Sequence, residues 1–135
     1  LRPPATTREE AIEGSLAASK IIGSKRFPLD EERIATRAGA AFDRAFYPVG
    51  MARQILAIRA SGDRTEALGA VDVPTVVIHG SVDSLVSPSG GEATAKAIPG
   101  AELLIIEGMG HDLPEGTWPI IVDAIVENAE KSGRS

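Results

Sequence analysis

Val73–Pro88 reads VPTVVIHGSVDSLVSP and Leu103–Pro114 reads LLIIEGMGHDLP. Each stretch opens with a short apolar run in which apolar and polar residues do not alternate, which is typical of a parallel strand covered on both faces. Each run then breaks on glycine and presents one chemically active residue, Asp83 in the first and His111 in the second, five residues beyond the last apolar position of the run. The two stretches therefore predict two parallel strands followed by equivalent loops.

The residues around these stretches complete a repeated strand-helix pattern. We predict strands at 73–78 and 101–106, with a helix between them that starts at a capping box of Ser89 and Glu92 and stops at Pro99-Gly100. An amphipathic helix is predicted at 117–129. Its inward residues would be Ile120, Ile121, Ala124 and Ile125. This pattern predicts a βαβα unit of the α/β class with a right-handed crossover.

Before residue 70 the pattern is helical. Thr7 and Glu10 form the signature of a capping box, and the helix that follows should end at Gly23. A second helix is expected to open at Pro28 and Asp30 and to end before Pro48, and a third to start at Met51. Asp63 and Glu66 could form another capping box, for a short helical turn that ends near Gly69.

Composition excludes several classes of function. The 135 residues carry a net charge of −5, and the arginines are spread among acidic residues, which argues against nucleic acid and anionic membrane as partners. There is no cysteine, so disulfides and thiolate metal sites are excluded, and a reducing, cytoplasmic location is expected. No apolar run approaches the ~20 residues that cross a bilayer.

Two strands of this buried type cannot form a stable sheet by themselves, because they would expose apolar edges with unpaired backbone groups. The sequence also lacks an initial Met and begins LRPPATTREE. We therefore expect further strands from another chain, or a longer protein of which this is a piece, and we favour the second. An isolated chain should aggregate or self-associate as a homo-oligomer.

The two active residues suit a hydrolytic pair. Ligand sites of open α/β sheets lie beyond the carboxyl ends of the strands, where Asp83 and His111 would meet if the strands are adjacent. A carboxylate that orients an imidazole and stabilises its charged form supplies two of the three members of a hydrolytic triad. Gly108 and Gly110 would allow the tight turn that presents His111. The alternative is structural: Asp83 as a turn former and His111 as a turn histidine.

These motifs, VPTVVIHGSVDSLVSP and AIPGAELLIIEGMGHDLP followed by an amphipathic helix, resemble the C-terminal part of the alpha/beta-hydrolase superfamily. The resemblance implies that Asp83 is the triad acid and His111 the general base. It also implies that residues 1–49 are part of a helical cap and residues 50–135 the C-terminal part of the core, as in small-substrate esterases, methylesterases and lactonases. The order acid then histidine agrees with the family order.

The third member of the triad is missing. No G-x-S-x-G and no HGGG-type loop occurs in the sequence, so neither a nucleophile elbow nor an oxyanion loop is present. Both belong to the N-terminal half of the family fold. We expect that half to be a missing or separate part, and we expect no metal and no organic cofactor.

Other polar and apolar residues near the pair are assigned by position. His79, at the end of the first predicted strand, is interpreted as a packed structural residue, and Asp112 as a loop or capping acid. Ser81 and Ser84 are interpreted as loop hydrogen-bonding residues rather than nucleophiles. The predicted substrate-facing residues are Val86, Met109 and, from the cap, Phe46.

The function predicted from these features is hydrolysis of small carboxylic esters or lactones by a serine mechanism. One alternative is a family variant with an aspartate nucleophile, such as a dehalogenase or an epoxide hydrolase. Another is a non-catalytic binding or assembly subunit that docks through its sheet edge. The residues that would separate these hypotheses lie in the missing half.

Overall fold

A computed structural model describes residues 5–132. The elements in chain order are α1 (Arg8–Ile22), α2 (Glu31–Arg44), α3 (Val49–Ser61), α4 (Thr65–Leu68), β1 (Val76–Gly80), α5 (Pro88–Ala97), β2 (Glu102–Ile106), a 3₁₀ turn (Glu115–Thr117) and α6 (Trp118–Ser132). The chain divides into two compact units. Among the described residues, the helical unit holds residues 5–21 together with Asp30–Gly62, and the sheet unit holds Ile22–Leu29 together with residues 63–132.

Helices α1 and α2 of the helical unit lie antiparallel. Arg8, at the start of α1, forms an ion pair of 3.1 Å with Asp43 near the end of α2. Lys20, near the end of α1, pairs at 2.8 Å with Glu31 at the start of α2. The helices approach closely at Gly39, because a Cβ there would lie 2.4 Å from the Arg8 guanidinium. A side chain at this position would therefore have to displace the Arg8 guanidinium.

The starts of both helices follow the sequence signals. Thr7 Oγ1 accepts from the Glu10 amide at 3.2 Å, and the Glu10 carboxylate accepts from the Thr7 amide at 3.3 Å, so the predicted capping box is confirmed. Asp30 caps α2 by accepting from the Arg33 amide at 2.9 Å.

The sheet unit contains the predicted pair of parallel strands. β1 and β2 are hydrogen-bonded neighbours, and their register pairs Val76 with Glu102 and Gly80 with Ile106. Helix α5 connects them and contacts both, while α6 packs against β1. β1 starts later than predicted, at Val76, because Pro74 has no amide to donate to a ladder. Since the strands end at the same level, their following loops meet at one edge of the sheet.

Covering of both strands on both faces was expected of a larger fold, and within the residues that the structure describes β1 is partly or fully buried while β2 is covered incompletely. Leu103 and Ile105 of β2 are exposed. Of the four residues predicted to face inward from α6, Ile120 and Ile125 are also exposed, and Ile121 and Ala124 are partly buried. The two strands and three helices of this unit provide too little surface to cover both layers, so the buried apolar core is small.

Two helix starts differ from the sequence prediction. Helix α5 begins at Pro88 with Ser87 as its N-cap residue, so the predicted Ser89–Glu92 capping box is wrong. Pro88 fits the first helical position because its missing amide would have no partner there. The predicted Asp63–Glu66 box is also wrong, because Asp63 Oδ1 accepts from the amide and hydroxyl of Thr65, at 2.9 and 2.6 Å.

The division into cap (1–49) and core (50–135) remains a prediction. The compact units are defined by contacts, and they assign Ile22–Leu29, which is the last residue of α1 and most of the connection to α2, to the sheet unit. None of the helices within residues 5–132 combines the length and the apolar character needed to cross a membrane. Cytoplasmic location likewise remains a prediction.

Candidate active site

The loop after β1 holds the Asp83 carboxylate with its own backbone. Asp83 Oδ1 accepts from the amides of Leu85 and Val86, both at 2.9 Å. The Asp83 amide donates to the Gly80 carbonyl at 3.3 Å, which turns the chain immediately after the strand. The side chain is only 6% exposed. These contacts fix one carboxylate oxygen inside the loop and direct the other away from it.

The electrostatics of Asp83 favour its ionised form. Burial alone would raise the pKa of this carboxyl, but the hydrogen bonds from the Val86 amide, from His111 and from the Leu85 amide outweigh burial and hold the pKa below its ordinary value. At neutral pH the group is therefore a carboxylate, which can only accept hydrogen bonds.

The loop after β2 turns on glycine and is joined to the acid loop. Gly108 has a φ of +75°, a left-handed conformation that suits glycine. Its amide donates to Ser81 Oγ at 2.8 Å, and the Val82 amide donates to the Met109 carbonyl at 3.1 Å. Gly80 permits this contact, because a Cβ there would lie 2.2 Å from the Met109 carbonyl oxygen.

These geometries bring Asp83 and His111 together. His111 Nδ1 lies 2.8 Å from Asp83 Oδ2. Because the carboxylate is ionised, Nδ1 carries the proton and donates it, which leaves a lone pair on Nε2. Among residues 5–132 no group is hydrogen-bonded to Nε2. The imidazole is 43% exposed, so a base with a defined tautomer faces an accessible space.

His79 has the structural place expected of it. Its Nε2 lies 2.9 Å from the Val86 carbonyl, so Nε2 carries the proton and donates. The same atom is 3.7 Å from Asp83 Oδ2, beyond hydrogen-bond distance. Gly91 of α5 packs on the ring, because a Cβ there would lie 2.7 Å from Nδ1. His79 therefore ties the acid loop to β1 and α5.

A cavity of about 310 Å³ opens over the pair. Both Val86 and Met109, which were predicted to face the substrate, line it together with Asp83 and His111. Met109 is buried and Val86 is exposed. Phe46 belongs to the helical unit, where its ring centroid lies 4.9 Å from that of Phe42, and its role in binding remains a prediction.

The other polar candidates serve the loops. Ser81 accepts from Gly108, as described above, which agrees with its interpretation as a loop residue. Asp112 Oδ1 accepts from the amide and hydroxyl of Ser24, at 2.9 and 2.5 Å, so this acid bonds away from the imidazole. Within the part of the chain that the structure describes, no group of three or more His, Asp or Glu side chains is arranged to hold a metal ion.

Ser24 and its neighbours were missed by the sequence prediction. Gly23 was interpreted only as the end of α1, yet Gly23–Arg26 contacts the loop that carries His111 at several points. Ser24 and Asp112 are 88 positions apart. No periodicity or local motif indicates a contact at that separation, so a single sequence gives no signal for it.

Two solved structures are similar to this chain. One is a serine hydrolase involved in carbazole degradation, with a TM-score of 0.67 and 20% identity over 94% of this chain and 48% of the other. The second is an esterase from Rhodococcus sp. ECU1013, with a TM-score of 0.58 and 20% identity over 93% of this chain and 44% of the other. At this identity the likeness establishes a shared fold, and the chain spans about half of each structure.

Sequence comparison adds one curated relative. Over 52 residues, which are 38% of this chain, the sequence is 42% identical to a non-heme chloroperoxidase of Kitasatospora aureofaciens. The match covers 19% of that protein. No protein-family model matches the sequence.

Proposed function

We propose that this chain, which has the fold of part of an alpha/beta hydrolase, supplies the acid and the general base of a carboxylic ester hydrolase. The observation that carries the proposal is the 2.8 Å hydrogen bond between Asp83 Oδ2 and His111 Nδ1. It lies at the carboxyl edge of parallel strands and beside an open cavity, which is the usual position of a site in such sheets.

The chemistry follows from the tautomer of His111. Nε2 takes the proton of a serine hydroxyl as that oxygen attacks the ester carbonyl, and Asp83 stabilises the imidazolium that forms. Nε2 then returns the proton to the leaving alcohol, and an acyl-enzyme remains. Water attacks the acyl-enzyme with the same base, which releases the acid and regenerates the serine. This sequence of steps requires no metal and no cofactor.

The serine and the oxyanion donors belong to a part of the fold outside these 135 residues. Three observations support this part of the proposal. The sequence has no G-x-S-x-G, and the exposed Leu103 and Ile105 of β2 offer apolar surface for further covering elements. The chain also spans less than half of each similar structure. The partner we propose is therefore the N-terminal half of the same fold.

The cavity favours a small substrate with an apolar acyl or alcohol group. Its apolar lining comes from Ile78, Val86, Met109 and Leu113, while its polar groups are concentrated at the catalytic pair. The part of the site that this chain forms has a volume of about 310 Å³, and the N-terminal half would complete it. Simple carboxylic esters and lactones fit this description, since they need one oriented carbonyl and little polar recognition.

The test compares the 135-residue chain with the same chain joined to its N-terminal half. We expect p-nitrophenyl acetate and butyrate hydrolysis only in the joined form, with one serine labelled by a fluorophosphonate. Asp83→Asn and His111→Ala should abolish hydrolysis, whereas Asp72→Asn, in the exposed segment before β1, should not. Labelling of an aspartate by substrate would instead identify an aspartate-nucleophile variant. Full activity in the 135-residue chain would contradict the two-part proposal.

The 52-residue match to a chloroperoxidase favours one further candidate, peroxide-dependent halogenation. The joined protein should therefore also be assayed with chloride or bromide, hydrogen peroxide and a chromogenic acceptor. Halogenation that disappears with His111→Ala would support this candidate, and halogenation that persists would exclude the Asp83–His111 pair as its site.

A further inference from the structure

The loop that carries His111 is held by a segment from the distant part of the sequence. This segment, Gly23–Arg26, is called the brace below. The His111 amide donates to the carbonyl of Ile22, next to the brace, at 2.8 Å. The amides of Lys25 and Arg26 both reach the Gly108 carbonyl, at 2.9 and 3.3 Å. The backbone of the histidine loop is thus bonded on both sides of Met109.

Ser24 stands at the centre of these contacts. Its hydroxyl donates to Asp112 Oδ1 at 2.5 Å and accepts from the Gly110 amide at 3.0 Å. Its own amide donates to the same Asp112 oxygen at 2.9 Å. Gly110 and Asp112 are the two residues that flank His111, so one serine side chain fixes the backbone before the histidine and the side chain after it.

The fit between brace and loop leaves no room for adjustment. A Cβ on Gly110 would lie 2.5 Å from the Ile22 carbonyl oxygen and 2.5 Å from the Gly23 carbonyl carbon. A Cβ on Gly108 would lie 2.3 Å from Arg26 Cβ. Both approaches involve atoms that cannot swing aside. The close contact therefore defines the position of the loop, and the hydrogen bonds of Ser24 hold it there.

We propose that Ser24 is a positioning residue for His111, acting through Gly110 and Asp112 to keep the imidazole aligned with Asp83. The inference rests on the proposed function, because alignment matters most for a base that transfers a proton. His111 is 43% exposed, so solvent surrounds much of its ring, unlike the buried Asp83. Its orientation therefore depends on its backbone, and its backbone depends on the brace.

The main experiment is Ser24→Ala in the protein that contains both halves of the fold. We expect kcat for p-nitrophenyl butyrate to fall on the order of 10²-fold, as misplacement of a catalytic group by about 1 Å does. KM should change by less than about threefold, because the substrate surface is unaltered. The downfield proton resonance of the His111 Nδ1–H should broaden or vanish.

Conservative variants separate positioning from folding. Ser24→Thr keeps the hydroxyl, and Asp112→Asn keeps the accepting Oδ1, so both should retain the Nδ1–H resonance and most of kcat. Asp112→Ala removes the acceptor and should resemble Ser24→Ala. Ser15→Ala, in the middle of α1 and similarly half-buried, is the matched control and should behave as the wild type.

Amide hydrogen exchange makes the test independent of activity. Ser24→Ala should raise exchange at the Gly110 and His111 amides at least tenfold, while the amides of β1 and β2 stay protected. This result would support the brace even in a protein without esterase activity, where only the proposed function would fail. Unchanged exchange and an unchanged Nδ1–H resonance in Ser24→Ala would overturn the inference, whatever the activity of the wild type.

Discussion

The acid loop and the histidine loop follow equivalent strands but are held in opposite ways. Asp83 is bonded by amides two and three residues away and is almost completely buried. His111 is exposed, and its loop is bonded by Ile22 and by the brace, which lie more than 80 positions earlier in the sequence. The Asp83 carboxylate is therefore held by amides of its own loop, whereas the backbone around His111 is held by a remote segment.

This difference predicts which substitutions should disturb Asp83 and which should disturb His111. A carboxylate held by amides two and three residues away should be disturbed mainly by substitution of Asp83 itself or of its nearest partners. A loop held from outside can be displaced by changes far away in the sequence. The predictions below test this contrast, beginning with the largest expected effect.

The largest effect should come from the pair itself. In the protein with both halves of the fold, Asp83→Asn should lower turnover on the order of 10⁴-fold, the loss seen for the corresponding change in another serine hydrolase, because the imidazole then adopts the wrong tautomer. His111→Ala should lower turnover at least as much. Steady-state hydrolysis of p-nitrophenyl butyrate measures both.

Circular dichroism and unfolding midpoints should establish that both variants fold. Asp72→Asn provides a matched change of an exposed acid. Turnover within about tenfold of wild type for folded His111→Ala would exclude His111 as the base, since general acid-base catalysis by one side chain contributes about 10²–10⁴-fold.

The second effect concerns the remote support of the histidine loop. Gly110→Ala should destabilise the protein by about 1–3 kcal/mol and lower kcat, because its Cβ would collide with backbone atoms of Ile22 and Gly23. Gly90→Ala is the matched control. Its Cβ would make only an ordinary contact of 3.6 Å with Val86, and alanine favours the helix there. Urea midpoints measure both.

The opposite outcome would be that Gly110→Ala unfolds at the same urea concentration as wild type and keeps the same kcat. The histidine loop would then be able to shift and accommodate a Cβ beside Ile22 and Gly23. The view of a loop fixed from outside would then be wrong. A loss of kcat with little loss of stability would indicate that the contact at Gly110 aligns His111 with Asp83 and is not needed for folding.

The features that sequence reasoning predicted are those with local causes. The partial alpha/beta-hydrolase fold is confirmed by the two structural likenesses. The parallel strands, the Thr7–Glu10 capping box and the loop hydrogen bond of Ser81 each follow from residues close in sequence or from strand-end equivalence. The proximity of Asp83 and His111 follows from the same equivalence, because β1 and β2 are adjacent and in register.

The features that were missed or wrong depend on distant groups. The role of Ser24 can be seen only in the folded structure, where it contacts Gly110 and Asp112. The exposure of Leu103 and Ile105 reflects how much of the fold surrounds β2, and apolar composition alone cannot report that. The Ser89–Glu92 box was wrong because two helix-start signals overlap here. Pro88 favours the first helical position, and the helix starts there rather than after Ser89.

A smaller effect is expected at His79, which contacts the acid loop. His79→Gln removes the imidazole that donates to the Val86 carbonyl, but the Leu85 and Val86 amides still hold Asp83. Turnover should therefore fall less than about tenfold, well short of the loss for a catalytic base. His111→Gln, the same substitution at the other histidine, is the control. A larger loss at His79 than at His111 would reverse the assignment.

The smallest effect is on stability in acid. The pKa of Asp83 lies below its ordinary value, mainly because the hydrogen bonds from Val86, His111 and Leu85 outweigh burial, which acts in the opposite direction. A carboxyl with a depressed pKa contributes stability above its unfolded pKa of about 3.9, and the contribution is lost as pH falls through the lower folded value. Wild type should therefore exceed Asp83→Asn in stability at pH 7, and the difference should shrink below about pH 4.

Urea midpoints at a series of pH values between about 7 and 2 measure this convergence, since the range spans the ordinary pKa of a carboxyl. Asp63→Asn is the control, because the pKa of Asp63 is also lowered, chiefly by the Thr65 hydroxyl, but the group lies on the surface and its contribution is screened. The Asp83 difference should exceed the Asp63 difference at every pH above 5, because the Asp83 carboxylate is almost buried. If the urea midpoints of wild type and Asp83→Asn changed in parallel with pH, the hydrogen bonds of the loop would not stabilise the Asp83 carboxylate in the folded state. The contrast between an acid fixed by neighbouring amides and a histidine fixed by a remote segment would then fail.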